Sequence, residues 1–76
     1  MSHLVEVQRI FRDQFEDPAL LISEETSPET LPEWDSVAQI QIILALEETF
    51  GFRFSTEEVA RVHCVGDLLD AIKAHV

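Results

Sequence analysis

The chain has 76 residues, 46% of them apolar, with 15 acidic residues against five Lys and Arg and a formal net charge of −10. This length allows one domain near the lower size limit for a single hydrophobic core, and the apolar content argues against a wholly disordered chain. The acidic surface would repel nucleic-acid phosphates and anionic lipid headgroups, so we expect neither nucleic acid nor membrane as a partner. It either attracts basic protein surfaces or simply keeps a small protein soluble.

The residues present also exclude several kinds of site and segment. A single cysteine, Cys64, allows neither an intramolecular disulfide nor a multi-cysteine zinc site, and the three histidines are too scattered to suggest a metal site. The N-terminus lacks the basic start and apolar run of a signal peptide, and no apolar stretch reaches the roughly 18 residues of a membrane span. We expect one domain over residues 1–76 that is cytoplasmic and monomeric.

The first helix and the connection after it are indicated by spacing and by proline. Apolar residues at helical intervals predict an amphipathic first helix over about residues 3–16, which Asp17-Pro18 should end. A long connection follows over about residues 17–35, with Thr26 and Glu29 at the spacing of a capping box around a short helical turn. Four apolar side chains should hold this connection against the core: Leu20, Leu21, Ile22 and Leu31.

Three further helices complete the predicted fold. Asp35 is a favourable N-cap for a second helix that runs to Phe50, and Gly51 is a typical left-handed C-terminal cap. A short third helix opens at Thr56, with Thr56 or Ser55 as its cap, and the last helix begins near Cys64 and includes Val76. The sequence therefore predicts an all-α fold, a small four-helix bundle of three longer helices and one short, with a long first connection.

The second helix carries more apolar side chains than one buried face requires. At about 100° per residue these side chains sort into two faces. The predicted core face consists of Ile42, Ile43, Leu46 and Phe50. The opposite face consists of Val37, Ile40 and Leu44, flanked by Gln41, Glu47 and Glu48. This second face is either covered in part by the long connection, at Val37 or Ile40, or exposed as a docking surface for basic partners.

A specific motif lies at the start of the second helix. Asp35 and Ser36 open the helix, and Leu-Glu-Glu-x-Phe-Gly follows ten residues later over residues 46–51. With Phe54, the Glu57-Glu58 pair and the stretch from Val62 to Ile72, this pattern resembles the acyl carrier proteins. The resemblance covers the chain without a gap from Trp34 onward, whereas the first helix matches only by its apolar pattern.

The resemblance implies a carrier without self-contained catalysis. Ser36 would be joined to 4′-phosphopantetheine from coenzyme A by a phosphopantetheinyl transferase, with Asp35 as helix cap and recognition residue for that transferase. The terminal thiol of the arm would hold acyl groups as thioesters and present them to acyl-loading and acyl-using enzymes with basic patches. The residues expected to bind these partners are Val37, Ile40, Gln41, Leu44, Glu47, Glu48, Glu57 and Val62. A phosphodiester at a helix N-terminus is also physically favourable, because unpaired N–H groups and the helix dipole attract an anion.

The sequence departs from the housekeeping fatty-acid carriers beside the serine. Glu33-Trp34 precedes Asp35-Ser36 where those carriers have a small pair, and acidic residues common in the family are missing at Ala38 and Gln41. These departures favour a specialised pathway, such as polyketide synthesis or another acyl transfer. Two alternatives stay open: a peptidyl or D-alanyl carrier, and an unmodified helical adaptor that binds a partner through the same acidic and apolar face.

Two single residues add further expectations. Trp34 could line the space beside the arm or anchor the long connection, and we favour the anchor. Cys64 stands where the family often has a threonine cap for the last helix, with Asp67 three residues on. A thiol caps a helix less well than a hydroxyl, and no basic neighbour is evident that would make Cys64 a nucleophile.

Overall fold

The computed structural model describes residues 3–75, and within this range all regular structure is helical. The four helices are α1 (Leu4–Gln14), α2 (Ser36–Phe50), α3 (Thr56–Ala60) and α4 (Val65–His75). Three longer helices and one short helix, with the long connection between α1 and α2, confirm the predicted bundle. Val76, predicted as part of the last helix, lies outside the described residues. None of the helices within residues 3–75 has the length and apolar character needed to cross a bilayer.

The end of α1 differs from the expected stop at proline. The helix ends two residues before the predicted boundary, and Glu16 adopts a positive φ of 51°. The N–H of Asp17 then donates to the Arg12 carbonyl (3.0 Å), and the N–H of Glu16 donates to the Asp13 carbonyl (3.3 Å). These are the two hydrogen bonds of a Schellman motif, in which glycine is the usual residue at the position of Glu16.

The core is built from one face of each long helix. α1 contributes Val7, Ile10 and Phe11, and α4 contributes four buried residues between Val65 and Ile72. The predicted core face of α2 is confirmed, since Ile42, Ile43 and Leu46 are buried and Phe50 packs half-buried against them. Ala38 is buried as well. This packing turns the Val37, Ile40 and Leu44 side of α2 away from the core.

The long connection lies along α1 and is fixed by its backbone. The Arg12 Nε–H donates to the Leu20 carbonyl (2.7 Å), and the N–H of Ile22 donates to the Gln8 Oε1 atom (3.0 Å). Ile22 and Leu31 are buried and Leu20 packs against the core, as predicted. The prediction for Leu21 was wrong. Its side chain is 77% exposed, while its neighbour Ile22, whose N–H is held by Gln8 of α1, is buried.

The same connection closes over the start of α4. The N–H groups of Val65 and Gly66 donate to the carbonyls of Thr26 and Glu24, both at 2.8 Å. A Cβ atom on Gly66 would lie 3.2 Å from the Glu24 carbonyl oxygen, a tight contact that glycine avoids. The start of a helix leaves its first N–H groups without an intrahelical partner, and two of them are satisfied in this way. The connection is thereby joined to the first turn of α4.

The predicted capping box at Thr26 and Glu29 was also wrong. The Thr26 hydroxyl accepts instead from the N–H of Ser23 (2.9 Å), three residues before it. The short turn that follows begins at Ser27, whose hydroxyl accepts from the N–H of Glu29 (3.3 Å) and whose carbonyl accepts from the N–H of Leu31 (2.8 Å). Thr26 does not cap this turn, because its hydroxyl accepts from Ser23 and the first carbonyl acceptor of the turn is that of Ser27.

A capping box does occur at α3. The Ser55 hydroxyl accepts from the N–H of Glu58 (3.1 Å), and the Glu58 carboxylate accepts from the N–H of Ser55 (2.8 Å). This identifies Ser55 rather than Thr56 as the cap. The Glu58 carboxylate also lies 2.9 Å from Nε2 of His75, whose ring stacks on Phe52. The short α3 is therefore joined to the end of α4 by one side-chain pair.

Candidate functional site

Ser36 is the first residue of α2, and its side chain is exposed. Asp35 precedes it with extended backbone (φ −98°, ψ −173°), and its Oδ1 atom accepts from the N–H of Ala38 (2.9 Å). The predicted role of Asp35 as the helix cap is confirmed. The hydroxyl of Ser36 thus stands at the positive end of the α2 dipole, where an attached anion is stabilised.

An open groove of about 540 Å³ lies beside Ser36. Its walls come from the long connection, from the first turns of α2, from α3 and from the second residue after α3. The lining residues are Pro28, Trp34, Asp35, Ser36, Gln39, Ile40, Val59 and Val62. The groove joins the exposed hydroxyl to apolar surface, so a flexible chain attached to Ser36 has a largely apolar path toward Val59 and Val62. Val62, predicted as a partner-binding residue, lines the groove and is half-buried.

Trp34 anchors the connection at the mouth of this groove. Its side chain is 2% exposed and its ring meets Phe11 edge to face, with the ring centroids 5.1 Å apart. The indole N–H donates to the Oε1 atom of Gln39 (2.6 Å), one turn into α2. The anchor interpretation is confirmed, and the residue also borders the groove, so the two alternatives for Trp34 do not exclude each other.

The second apolar face of α2 is exposed rather than covered. Val37 is 68% exposed, Ile40 59% and Leu44 50%, so the alternative that the connection covers Val37 or Ile40 was wrong. The connection is held by hydrogen bonds to α1 and to the start of α4, and its Pro28 and Trp34 border the groove beside Ile40 without burying that side chain. A contiguous apolar stripe along a surface helix is typical of an interaction site.

The polar residues beside this stripe differ in their exposure and in their hydrogen bonds. Gln41 and Glu48 are exposed on α2, and Glu57 is exposed on α3. Glu47 is half-buried, and its Oε2 atom accepts from the N–H of Phe54 (2.8 Å), which ties α2 to the segment before α3. Part of the Glu47 carboxylate is therefore engaged in holding the fold.

A second concavity of about 400 Å³ continues the stripe at the end of α2. Leu44 and Phe52 give it apolar walls, and Glu47 and Glu48 lie at its rim together with Arg53. The lining is therefore mixed, with two apolar side chains, two carboxylates and one cation.

Gln39 is the site residue that the sequence interpretation missed. It follows Ser36 by three residues, so both side chains lie on one side of α2, and both line the groove. The sequence offered one signal for this role: Trp34 precedes Gln39 by five residues, and the Asp35-Ser36 pair that starts the helix lies between them. That signal is weak, because only the folded connection decides which way the Trp34 ring turns.

The residues present fit a phosphodiester with an extended arm. An exposed primary hydroxyl supplies the attachment point, a helix N-terminus suits the phosphate, and the adjoining groove suits the arm. Ala38, where the family often has an acid, is buried. Residues 36–41 include no acidic residue, so no carboxylate stands between the Asp35 cap and Gln41 on the exposed side of α2.

Known proteins match this chain, some over nearly its whole length and one over about half of it. The family described as "Phosphopantetheine attachment site" matches residues 5–72. An acyl carrier protein of Thermosynechococcus vestitus is 36% identical over 74 residues, which are 96% of this chain and 90% of that protein. One from Clostridium acetobutylicum is 44% identical over 41 residues, 54% of this chain and 53% of that protein.

A solved structure matches the fold equally well. The solution structure of the holo acyl carrier protein from Geobacter metallireducens superposes with a TM-score of 0.89 at 31% identity, covering 97% of this chain and 85% of that one. Acyl carrier proteins are generally non-catalytic and work with partner enzymes, and their prosthetic group is 4′-phosphopantetheine. The helical architecture, the exposed helix-start serine and these matches together show that the chain belongs to the acyl carrier protein family.

Proposed function

We propose that Ser36 is the attachment residue of 4′-phosphopantetheine and that the loaded chain carries acyl groups in a specialised pathway. In the attachment step the Ser36 hydroxyl attacks the phosphorus of coenzyme A next to the pantetheine. A new O–P bond forms, adenosine bisphosphate leaves, and the serine proton passes to the transferase or to solvent. The terminal thiol of the arm then holds acyl groups as thioesters, and the chain itself catalyses no step.

One observation carries this proposal: Ser36 is exposed at the capped N-terminus of α2 and opens onto the groove. The N–H of Ala38 is already satisfied by Asp35, while the helix dipole still favours an anion on the neighbouring residue. A transferase reaches the hydroxyl without moving any helix, because the serine lies at the end of the bundle.

The exposed stripe of Val37, Ile40 and Leu44 supports a docking role for α2. With Glu48 beside it and Glu57 on α3, it combines apolar contact area with negative charge. Basic patches on partner enzymes would be attracted to such a surface, which raises the rate of encounter and selects against acidic partners. The transferase and the acyl-loading and acyl-using enzymes would share this face in turn.

A specialised pathway is supported by the residues that adjoin the serine. Glu33 and Trp34 replace the small pair of housekeeping carriers, and Trp34 fills the corner between α1 and α2 against Phe11. Gln41 leaves the first two turns of the docking face without an exposed acid after Asp35. Enzymes that dock on a more acidic helix start would have fewer charged contacts here.

A second candidate is an adaptor that uses the same stripe without any modification. The exposure of Leu44 favours it as much as it favours a carrier, since either role needs an accessible apolar face. In the adaptor Ser36 would be dispensable. A carrier, in contrast, would lose all activity when the hydroxyl of Ser36 is removed.

Intact-protein mass separates the two candidates. The apo chain is incubated with coenzyme A, magnesium and a broad-specificity phosphopantetheinyl transferase, beside Ser36→Ala. A carrier gains the mass of one phosphopantetheine in the wild type and none in the variant. A mass gain in both proteins would show that the arm is attached to a residue other than Ser36. No mass gain with several transferases would favour the adaptor. Acyl, aminoacyl and D-alanyl donors offered to the loaded protein then distinguish the classes of cargo.

A further inference from the structure

The amide of Gln39 has a defined orientation, and this follows from the chemistry of its partner. An indole N–H can only donate, so the atom 2.6 Å from Trp34 Nε1 must be the amide oxygen of Gln39. The Trp34 ring cannot turn away, because it is buried and packed edge to face against Phe11. The glutamine is thereby held with its oxygen toward the tryptophan and its NH2 group on the opposite side.

The NH2 group of Gln39 is free to donate. Within residues 3–75, the Trp34 indole is the one side chain that pairs with the Gln39 amide, and that contact uses its oxygen. Gln39 is half-buried and lines the groove together with Ser36, three residues before it on the same side of α2. Side chains on a helix lean toward its N-terminus, so Gln39 leans toward Ser36.

We infer that the Gln39 NH2 group donates a hydrogen bond to the phosphodiester on Ser36 and positions the arm along the groove. A hydrogen bond from an amide to an ionised phosphate oxygen is stronger than one between neutral groups. Gln39 would act as a positioning residue, held in turn by Trp34. The inference rests on the proposed attachment of the arm to Ser36.

Glutamate at position 39 tests this role without breaking the anchor. Gln39→Glu keeps an oxygen that accepts from the Trp34 indole, but it replaces the NH2 donor with a second oxygen and places a negative charge beside the phosphodiester. Gln8→Glu is the matched control, because the Gln8 oxygen also accepts an N–H, that of Ile22, on α1 and away from the groove. Both apo variants should therefore unfold in urea close to the wild type.

The closing experiment compares apo and holo proteins by mass and by NMR. We expect the side-chain NH2 signals of Gln39 to shift when the wild type becomes holo, while those of Gln8 stay in place. In Gln39→Glu the phosphorus signal of the arm should shift, and the initial rate of phosphopantetheine transfer should fall about tenfold, whereas Gln8→Glu keeps the wild-type values. In holo Trp34→Phe the Gln39 shift should shrink, because the amide is no longer oriented.

The outcomes separate this inference from the proposed function. Unmoved Gln39 signals in a holo wild type, or equal effects of the two glutamate variants, would overturn the role of Gln39 and leave Ser36 as the attachment residue. A wild type that gains no phosphopantetheine mass would overturn both together.

Discussion

The indole N–H of Trp34 donates to the Gln39 amide oxygen at 2.6 Å and so spans the residue pair Asp35-Ser36 that opens α2. The bond joins the end of the long connection to the first turn of the helix. Because Trp34 is also packed on Phe11, the position of Ser36 is fixed relative to α1 as well as to α2. Ser36 thus stands on a rigid support although its own side chain is exposed.

Leu44→Arg should leave the fold intact and weaken transfer by partner enzymes. The side chain is half exposed, so arginine can project into water, but it places a positive charge where basic partners approach. We expect kcat/KM for loading or acyl transfer to fall about tenfold or more. Val5→Arg, the same kind of change at a 72% exposed residue of α1, is the control. Unchanged transfer in Leu44→Arg would remove Leu44 from the docking face.

Glu16→Gly should stabilise the protein. Glu16 has a φ of 51°, in the left-handed region that costs a residue with a Cβ atom about 1 kcal/mol, and its carboxylate lies at the negative end of α1. Urea unfolding of the apo protein should show a gain of about 1 kcal/mol in the free energy of unfolding. Glu16→Ala removes the charge but keeps the Cβ atom. An equal gain in both variants would show that charge, and not backbone conformation, is the cause.

Cys64→Thr should stabilise the start of α4. Cys64 directly precedes the helix, and the N–H of Asp67 donates to its backbone carbonyl at 3.1 Å. A threonine hydroxyl can accept from that N–H and should raise the free energy of unfolding by up to about 1 kcal/mol. Cys64→Val has nearly the same shape without the hydroxyl. A threonine variant less stable than the wild type would contradict this role of the cap.

Glu58→Gln should make the free energy of unfolding depend less on pH in the acid range. The N–H of Ser55, first, and the His75 ring, second, hold the pKa of Glu58 below its usual 4.5. Because the folded-state pKa is lowered, this contribution is complete above pH 4.5 and is lost as the pH falls through the lowered value. Urea unfolding of the wild type should lose more stability on acidification than that of Glu58→Gln.

Glu57→Gln is the control for that measurement, since it removes the same charge one residue away, from an exposed side chain outside the capping box. If the Glu57 and Glu58 variants lose stability in parallel with acid, then general charge repulsion, and not the Ser55 and His75 contacts, governs the pH dependence in the acid range.

Local signals in the sequence were enough for the helices and for the position of Ser36 at the start of α2. Asp35 is a strong N-cap, Gly51 supplies the left-handed residue after Phe50, and apolar spacing assigns Ile42 and Leu46 to the core. Each of these depends on neighbours within a few residues, which is why they could be read without knowledge of the fold. The Asp-Ser motif, with its spacing to the following Glu-Glu pair, added the family and its prosthetic group.

Contacts between segments distant in sequence were decided by the tertiary structure alone. The connection could have covered Val37 or Ile40, but hydrogen bonds from the N–H of Ile22 to Gln8 and from the N–H of Gly66 to Glu24 hold it elsewhere, and these two side chains stay exposed. The direction of the Trp34 ring, and with it the orientation of Gln39 beside Ser36, likewise depends on Phe11 in another helix. Periodicity reports which side of a helix is apolar, whereas the partner that meets that side is set by packing of the whole chain.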